Sequence, residues 1–168
     1  MVQSWELDCI FDQLPSIARF DASVQFVGSP DSKPRPFRDP AGMIVLRQIS
    51  VALLAAGYEI ATGPRPGKGC DAGLTFRSPS WSFFFVLVLS VRQRSEGNAS
   101  CAIRAFPSRP LLQRILGRVL WVGDDFATEW RQFCNVINDC LLRDVHTNSI
   151  SWSTRREDIA RAEWDEVP

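Results

Sequence analysis

The segment Trp81–Val91, WSFFFVLVLSV, decides the fold of this chain. It is the core of a stretch without charged residues, and it is too short for a membrane-spanning helix, which takes about 20 apolar residues. Its aromatic and β-branched residues are typical of a buried β-strand. Because apolar side chains occupy both odd and even positions, we expect a central strand that is covered on both faces.

The sequence on either side of this strand predicts its neighbours in the sheet. Leu74–Arg77 alternates between apolar and polar residues, which indicates a half-buried strand, and Pro79 separates it from the apolar segment. On the other side, Gly97 and Asn98 lie between two strand-like runs and predict a hairpin that leads to a strand at Cys101–Phe106. Connections this short join antiparallel strands, so the sheet is predicted to be mostly antiparallel.

Three helices are predicted to cover this sheet. The first begins at Asp39, whose carboxylate can cap free N–H groups, continues with Pro40, and ends before Gly57. Leucine, isoleucine and valine recur at helical spacing over 111–120 and predict the second helix. Aromatic and aliphatic residues recur at the same spacing over 124–145 and predict the third. These helices would supply the cover that the apolar strand requires.

Smaller elements are predicted near the two ends of the chain. A short helix ends near Pro15, and strands follow at Ser23–Val27 and at 58–62. The sequence TRRE at 154–157 has the capping-box pattern, which predicts that a short helix begins there. The complete order is then α-β-α-β-β-β-β-α-α with a short C-terminal helix.

These elements predict the fold class and the organisation of the chain. We expect a single α+β domain over 1–168, in which helices cover a mostly antiparallel sheet of about four to five strands. The proline-rich, polar segment 28–40 is predicted to be a loop. The segment 147–168 is predicted to be a C-terminal tail that either docks on the domain or binds a partner.

Charge and cysteine content narrow the function classes. The chain has 19 basic and 19 acidic residues and a formal net charge of zero, whereas nonspecific nucleic-acid binders are clearly basic. Acidic residues from Glu6 to Asp12 stand where a secretory signal would have basic and apolar segments, and the 5 cysteines form no CxxC pair. Arginine supplies nearly all the basic residues, as is typical of GC-rich bacterial coding sequences. We expect a cytoplasmic protein that binds neither nucleic acid nor membrane.

No motif in the chain specifies a catalytic, metal or cofactor site. The loop GPRPGKGCD at 63–71 resembles a phosphate-binding P-loop, but the spacing of its glycines is one residue short and no Ser or Thr follows Lys68. We interpret it as a contact surface that carries Arg65 and Lys68. The single histidine, His146, is expected to interact with the end of the long helix. We therefore predict no catalytic residue, no metal site and no cofactor.

Charge is distributed unevenly along the chain. The hairpin and the helix after it are basic, whereas acidic residues outnumber arginines two to one from Val122 onward. One interpretation is that the two parts neutralise each other within the domain and that tryptophans hold the tail in place. The other is that the acidic part, with tryptophan as an anchor, binds a partner of opposite charge. The residues predicted for this contact are Asp124, Asp125, Glu129, Trp152, Glu157, Asp158, Glu163, Trp164, Asp165 and Glu166, with Arg65 and Lys68 as the alternative surface.

The organisation over 39–145 resembles that of the immunity proteins that neutralise interbacterial toxins: a helix, the successive strands YEIATG, LTF, SFFFVLVLSV and CAIRAF, and two helices. The resemblance implies a protein that occludes a cognate toxin's active site stoichiometrically, without turnover. A second hypothesis is an effector or secretion chaperone, which predicts a homodimer with an exposed apolar patch. A third is a small enzyme with an unrecognised thiol or carboxylate site, for example at Cys70.

Overall fold

The structure, a computed structural model, describes residues 9–28, 41–67, 71–95, 97–108 and 125–158. These residues form an α+β fold on a six-stranded antiparallel sheet. In chain order the elements are β1 (Ile17–Ser23), α1 (Val24–Val27), α2 (Met43–Ala55), β2 (Glu59–Pro66), β3 (Asp71–Arg77), β4 (Phe85–Ser95), β5 (Asn98–Pro107), α3 (Phe126–Asp144) and β6 (Ile150–Ser153). The strand order across the sheet is β2-β3-β4-β5-β1-β6.

The α+β class, the antiparallel sheet and its cover of helices are confirmed. The hairpin between β4 and β5 is present, and Gly97 at its turn has a φ of 87°. The long helix predicted over 124–145 is α3, and α2 ends before Gly57. Residues 9–12 are helical and end before Pro15, as predicted. The sheet has six strands rather than four or five because β1 and β6 extend it beyond β5.

The strand predicted at Ser23–Val27 is wrong. The strand β1 ends at Ser23, and residues 24–27 form the single helical turn α1, whose Gln25 N–H donates to Ser23 Oγ at 3.3 Å. In β1 the core-facing residues are Ala18, Phe20 and Ala22, so two of the three are alanines. Small alternating residues give a weak periodic signal, which is why the sequence did not reveal this strand.

The helix α2 begins later than the sequence suggested. Its N-cap residue is Gly42, with a φ of 85°, and Asp39 and Pro40 lie outside the described residues. A Cβ atom at this glycine would lie 2.7 Å from Leu89 Cδ2 on the central strand. The backbone conformation and the close approach to the sheet both require glycine here.

The central strand β4 is fully buried on one side only. Phe85, Leu87 and Leu89 are all 0% exposed, whereas the alternate residues Val86 and Val88 are half-buried. Among the described residues, the cover predicted for both faces is therefore complete on one face and partial on the other. The strand also begins at Phe85 rather than at Trp81, because a turn at 79–80 and a bend at 82–83 precede it.

The buried face of the sheet is filled with aromatic side chains. Trp130 of α3 lies 5.0 Å from the ring of Phe85, and Phe133 stacks on Phe76 at 4.8 Å. The Trp130 indole also donates to Pro15 O at 2.7 Å, which satisfies its only polar atom. Aromatic pairs stabilise a core by about 0.5–1.5 kcal/mol beyond the area they bury, so this cluster makes the platform rigid. The residues that α2 adds are Met43, Val45, Leu46, Ile49, Ser50 and Leu53.

Candidate binding surface on the outer face of the sheet

Glu129, one of the acidic residues predicted to contact a partner, is engaged within the domain. Its carboxylate accepts hydrogen bonds from Ser80 Oγ at 2.8 Å and from the Trp81 indole N–H at 2.5 Å. These bonds join α3 to the segment that leads into β4. Hydrogen bonds to an ionised group contribute about 1.5–3 kcal/mol, so Glu129 stabilises this junction.

The described part of the tail is docked on the domain. The half-buried Trp152 donates its indole N–H to Asn138 Oδ1 of α3 at 2.7 Å. The predicted capping box is confirmed: the Thr154 N–H donates to Glu157 Oε2 at 2.7 Å and the Glu157 N–H donates to Thr154 Oγ1 at 3.2 Å. Asp158, at the end of this helical turn, pairs with Arg19 of β1. Trp152, Glu157 and Asp158 therefore all have partners within the domain.

Besides Glu157, two of the predicted contact residues are exposed in the structure. Asp125 precedes α3, and its side chain makes no capping hydrogen bond. Arg65 is exposed near the end of β2. The remaining predicted residues and elements lie outside the described part of the chain: Asp124, Lys68, Cys70, Glu163, Trp164, Asp165, Glu166, the loop at 29–40 and the helix at 111–120.

The sheet face opposite α2 and α3, here called the outer face, places arginine and aliphatic residues in one row. The strand register aligns Arg65 of β2 with Gly73 of β3, Gly73 with Val88 of β4, and Val88 with Arg104 of β5. The same row continues to Ile17 of β1. Directly opposed residues point to the same side of a sheet, so this row runs across the outer face.

A shallow groove of about 260 Å³ lies on this row. Its floor includes Val86 and Val88 of β4, and its rim includes Arg65. Gly73 contributes to the depression, because a Cβ atom there would lie 3.2 Å from Leu87 O and 3.8 Å from Val88 Cγ2. The lining residues are Arg65, Pro66, Gly67, Ala72, Gly73, Leu74, Thr75, Val86 and Val88.

Arginines on the outer face fall into two groups. Arg19 pairs with Asp158, and Arg77 pairs with Glu59 at 2.7 Å and lies 4.7 Å above the Phe84 ring. The second group, Arg65, Arg92 and Arg104, is exposed and makes no ion pair or hydrogen bond with the residues that the structure describes. A guanidinium without a partner binds a carboxylate without first breaking an internal pair.

The two ends of the outer face differ in cover. Near β6, Ile17 and Ser153 are opposed in the register and both are buried. Arg19 donates to Ser153 Oγ at 3.1 Å and pairs with Asp158, so the turn after β6 folds over this end. We call the part formed by β3, β4 and β5, with Arg65 of β2 at its edge, the open part, because Val86, Val88 and Thr75 are only half-buried there and Phe106 is 44% exposed.

The cysteines described are mostly buried. Desolvation by burial raises the pKa of Cys101, Cys134 and Cys140 to about 12, and nearby Asp144 adds to this effect at Cys140. A thiol with such a pKa is protonated at neutral pH and is a poor nucleophile. Cys9 is exposed. Among the described residues, no three His, Cys, Asp or Glu side chains are grouped closely enough to hold a metal ion.

His146 takes a structural role at the end of α3. Its φ of 53° is the left-handed conformation that follows a helix, and its ring packs against Phe26 at 5.2 Å. No sequence signal predicts this conformation at His146, since glycine or asparagine is usual at such positions.

Sequence reasoning missed Arg92 and Arg104 as members of one surface. Their strands were predicted, but the face on which each side chain lies depends on the register of the hairpin. The turn at Gly97 and the alternation in CAIRAF do not by themselves place Arg104 opposite Val88. That register also depends on the irregular pairing at Gln93 and Ser95, which shifts the alignment of the two strands. That irregularity is a backbone feature without a sequence signature of its own.

Among the described residues, no helix has the length and apolar character needed to span a membrane. Comparisons of this chain with protein-family models, with curated proteins and with solved structures gave no match.

Proposed function

We propose that this protein is a cytoplasmic binding protein of the immunity type, which neutralises a cognate bacterial toxin by stoichiometric occlusion of its active site. The observation that supports this most is the contrast between the two sides of the sheet. Helices and an aromatic cluster seal one side, while the other carries a groove beside three arginines without partners among the described residues. A rigid platform with an unpartnered charged face loses little entropy on binding, which suits a tight inhibitor.

The described residues favour the basic side of the molecule as the contact. Of the acidic and aromatic residues predicted for it, Glu129, Trp152 and Asp158 have partners inside the domain. Arg65, the described member of the alternative surface, lies at the groove. Glu129 and Asp158 of the acidic C-terminal part thus help to hold the domain together, whereas Asp125 is exposed.

The test uses the product of the gene directly upstream, which the proposal predicts to be a toxin. We expect that co-expression restores growth to cells that express the toxin, and that the purified proteins form a 1:1 complex by light scattering. Residual toxin activity should fall linearly with added protein and reach its minimum at equimolar ratio, because the inhibitor does not turn over. Suppression at a small fraction of equimolar protein, or no complex, would contradict the proposal, as would a secretion or metabolic gene in that place.

A second candidate function, the effector or secretion chaperone, is favoured by one feature of α2. Ile44, Val51 and Leu54 are 49%, 67% and 55% exposed, and their spacing places them on one side of the helix. Exposed apolar stripes of this kind mark protein contacts. This function requires a homodimer, so light scattering on the purified chain decides it: a dimer that Val51→Glu converts to monomer would support the chaperone, and a monomeric native chain would exclude it.

A further inference from the structure

We propose that the open part of the outer face is the docking surface for the partner, and that it recognises a protein segment in which carboxylates stand beside aliphatic side chains. This inference rests on the proposed function and adds the chemistry of the partner. It goes beyond the surfaces predicted from the sequence, because it adds Arg92, Arg104, Val86 and Val88 to Arg65.

The apolar floor of this surface fits one secondary-structure element. Val86 and Val88 lie on β4, with Gly73 beside Val88 on β3 and Ala102 on β5. Adjacent strands are about 4.8 Å apart, so the three strands present a floor about 10 Å wide, which is the diameter of one helix. Aliphatic side chains of a partner helix or strand would cover the half-buried valines.

The charges fit the same occupant. Arg65 and Arg104 lie in one row with two strands between them, so their Cα atoms are about 14 Å apart, on opposite sides of the valine floor. Arg92 lies further along β4 on the same face, opposite Ser100 of β5 and two residues beyond Ser90. Guanidinium groups bind carboxylates with two parallel hydrogen bonds, so acidic residues on either edge of the docked element would meet them.

A protein segment fits this face better than a nucleic acid does. Single-stranded nucleic acids bind sheets through aromatic rings on which the bases stack. On the row that carries Arg65 and Arg104 the intervening residues are Gly73 and Val88, and the nearby Phe84 ring is covered by Arg77. Among the described residues of the open part, this leaves Phe106 as the one exposed ring, whereas stacking of successive bases needs several. The formal net charge of zero also opposes a general affinity for phosphate backbones.

The test measures binding of a fluorescein-labelled amphipathic peptide of Glu, Leu and Ala to the full chain by fluorescence anisotropy. A peptide with Lys in place of each Glu is the ligand control. We expect the Glu peptide to bind and Arg104→Glu or Arg65→Glu to weaken it by about tenfold or more, because attraction becomes repulsion. Arg131→Glu, a matched reversal on the exposed side of α3, should leave the affinity unchanged.

Each alternative result overturns the proposal. The first is that the Lys peptide binds as tightly as the Glu peptide, and the second is that Arg131→Glu loses as much affinity as the outer-face variants. The others are no binding of the Glu peptide up to about 1 mM, and tighter binding of labelled oligouridine than of the Glu peptide. If combined Glu163→Gln, Asp165→Asn and Glu166→Gln strengthened peptide binding by about tenfold, this chain's own acidic residues would be the occupant.

The same variants separate this inference from the proposed function. Arg104→Glu and Arg65→Glu should also reduce toxin neutralisation, whereas Arg131→Glu should not. If both outer-face variants still neutralised the toxin fully, the docking surface would be wrong while the function stood. If the native chain failed to neutralise the toxin, the function would be wrong whatever the peptide did.

Discussion

The two faces of the central sheet differ sharply although they share the same strands. On the helix side, Phe85, Leu87 and Leu89 of β4 are completely buried, and side chains from α2 and α3 pack on them. On the outer side, Val86 and Val88 of the same strand are half-buried beside exposed arginines. Because stability comes mainly from buried apolar area, the helix side should determine whether the protein folds. The outer side is then free to differ in sequence without loss of the fold.

The largest expected effect compares neighbouring residues on opposite faces of β4. Phe85→Asp places an unpaired carboxylate in the aromatic core and should lower the free energy of unfolding by more than about 4 kcal/mol, a large part of the roughly 5–15 kcal/mol that stabilises a typical domain. Val86→Asp points to the open part and should cost only about 1 kcal/mol. Urea denaturation monitored by circular dichroism measures both. Equal losses would show that the two faces are covered alike.

The next effect tests how tightly α2 is held against the sheet. In Gly42→Ala the backbone is left-handed and the new Cβ atom lies 2.7 Å from Leu89 Cδ2. We therefore expect the free energy of unfolding to fall by about 2–4 kcal/mol. Gly57→Ala is the matched control, because its φ of 89° is similar but nothing lies within 4 Å of the new Cβ atom. It should cost about 1 kcal/mol. If both variants lost the same amount in thermal unfolding, the contact with Leu89 would not matter.

The sequence predicted the helix side of this comparison well. The long helix α3 carries Phe126, Trp130 and Phe133 at helical spacing, and the same residues are buried in the structure. Large apolar residues at a regular spacing give a strong signal because burial dominates folding energetics. The small residues of β1 gave no such signal, and β6 is only 4 residues long.

The outer face could be predicted only in part. The apolar even positions of β4 suggested a second covering layer, since hydrophobicity alone does not distinguish a buried surface from a binding surface. The sequence left two interpretations of Glu129 and Asp158 open, a contact within the domain or with a partner protein, because Trp81 and Arg19, with which they pair, are distant in sequence. Arg65 was identified from its loop, but its alignment with Arg104 depends on pairings across three strands.

A smaller effect concerns the pH dependence of the helix side. The pKa of Cys101, Cys134 and Cys140 rises from 9.0 in the free thiol to about 12 in the folded protein. The unfolded chain therefore releases protons first, so the stabilisation is complete below pH 9 and is lost as the pH rises from 9 towards 12. Between pH 8 and pH 9.5 we expect the three thiols to reduce the unfolding free energy by about 2 kcal/mol in total.

The control for this pH dependence replaces all three cysteines by alanine. That variant should be less stable at pH 8 but should lose less further stability by pH 9.5, and urea denaturation at both values gives the difference. The upper limit keeps Tyr58 out of the measurement, because its pKa rises from 10.0 to about 12, mainly through burial, and it acts only at higher pH. An unchanged slope in the variant would mean that these thiols are accessible to water.

The smallest expected effect separates the covered end of the outer face from its open part. Thr154→Ala removes the acceptor for the Glu157 N–H and should cost about 1 kcal/mol, as is usual for a lost helix cap. This turn positions Asp158 to pair with Arg19 of β1. In the variant, amide hydrogen exchange should therefore accelerate in β1 and β6 but not in β3 and β4. Ser151→Ala, at an exposed position of β6, is the control and should change neither the free energy of unfolding nor the hydrogen exchange rates. Faster exchange in β3 and β4 as well would show that the two parts open together, and that the groove depends on the cover at the other end.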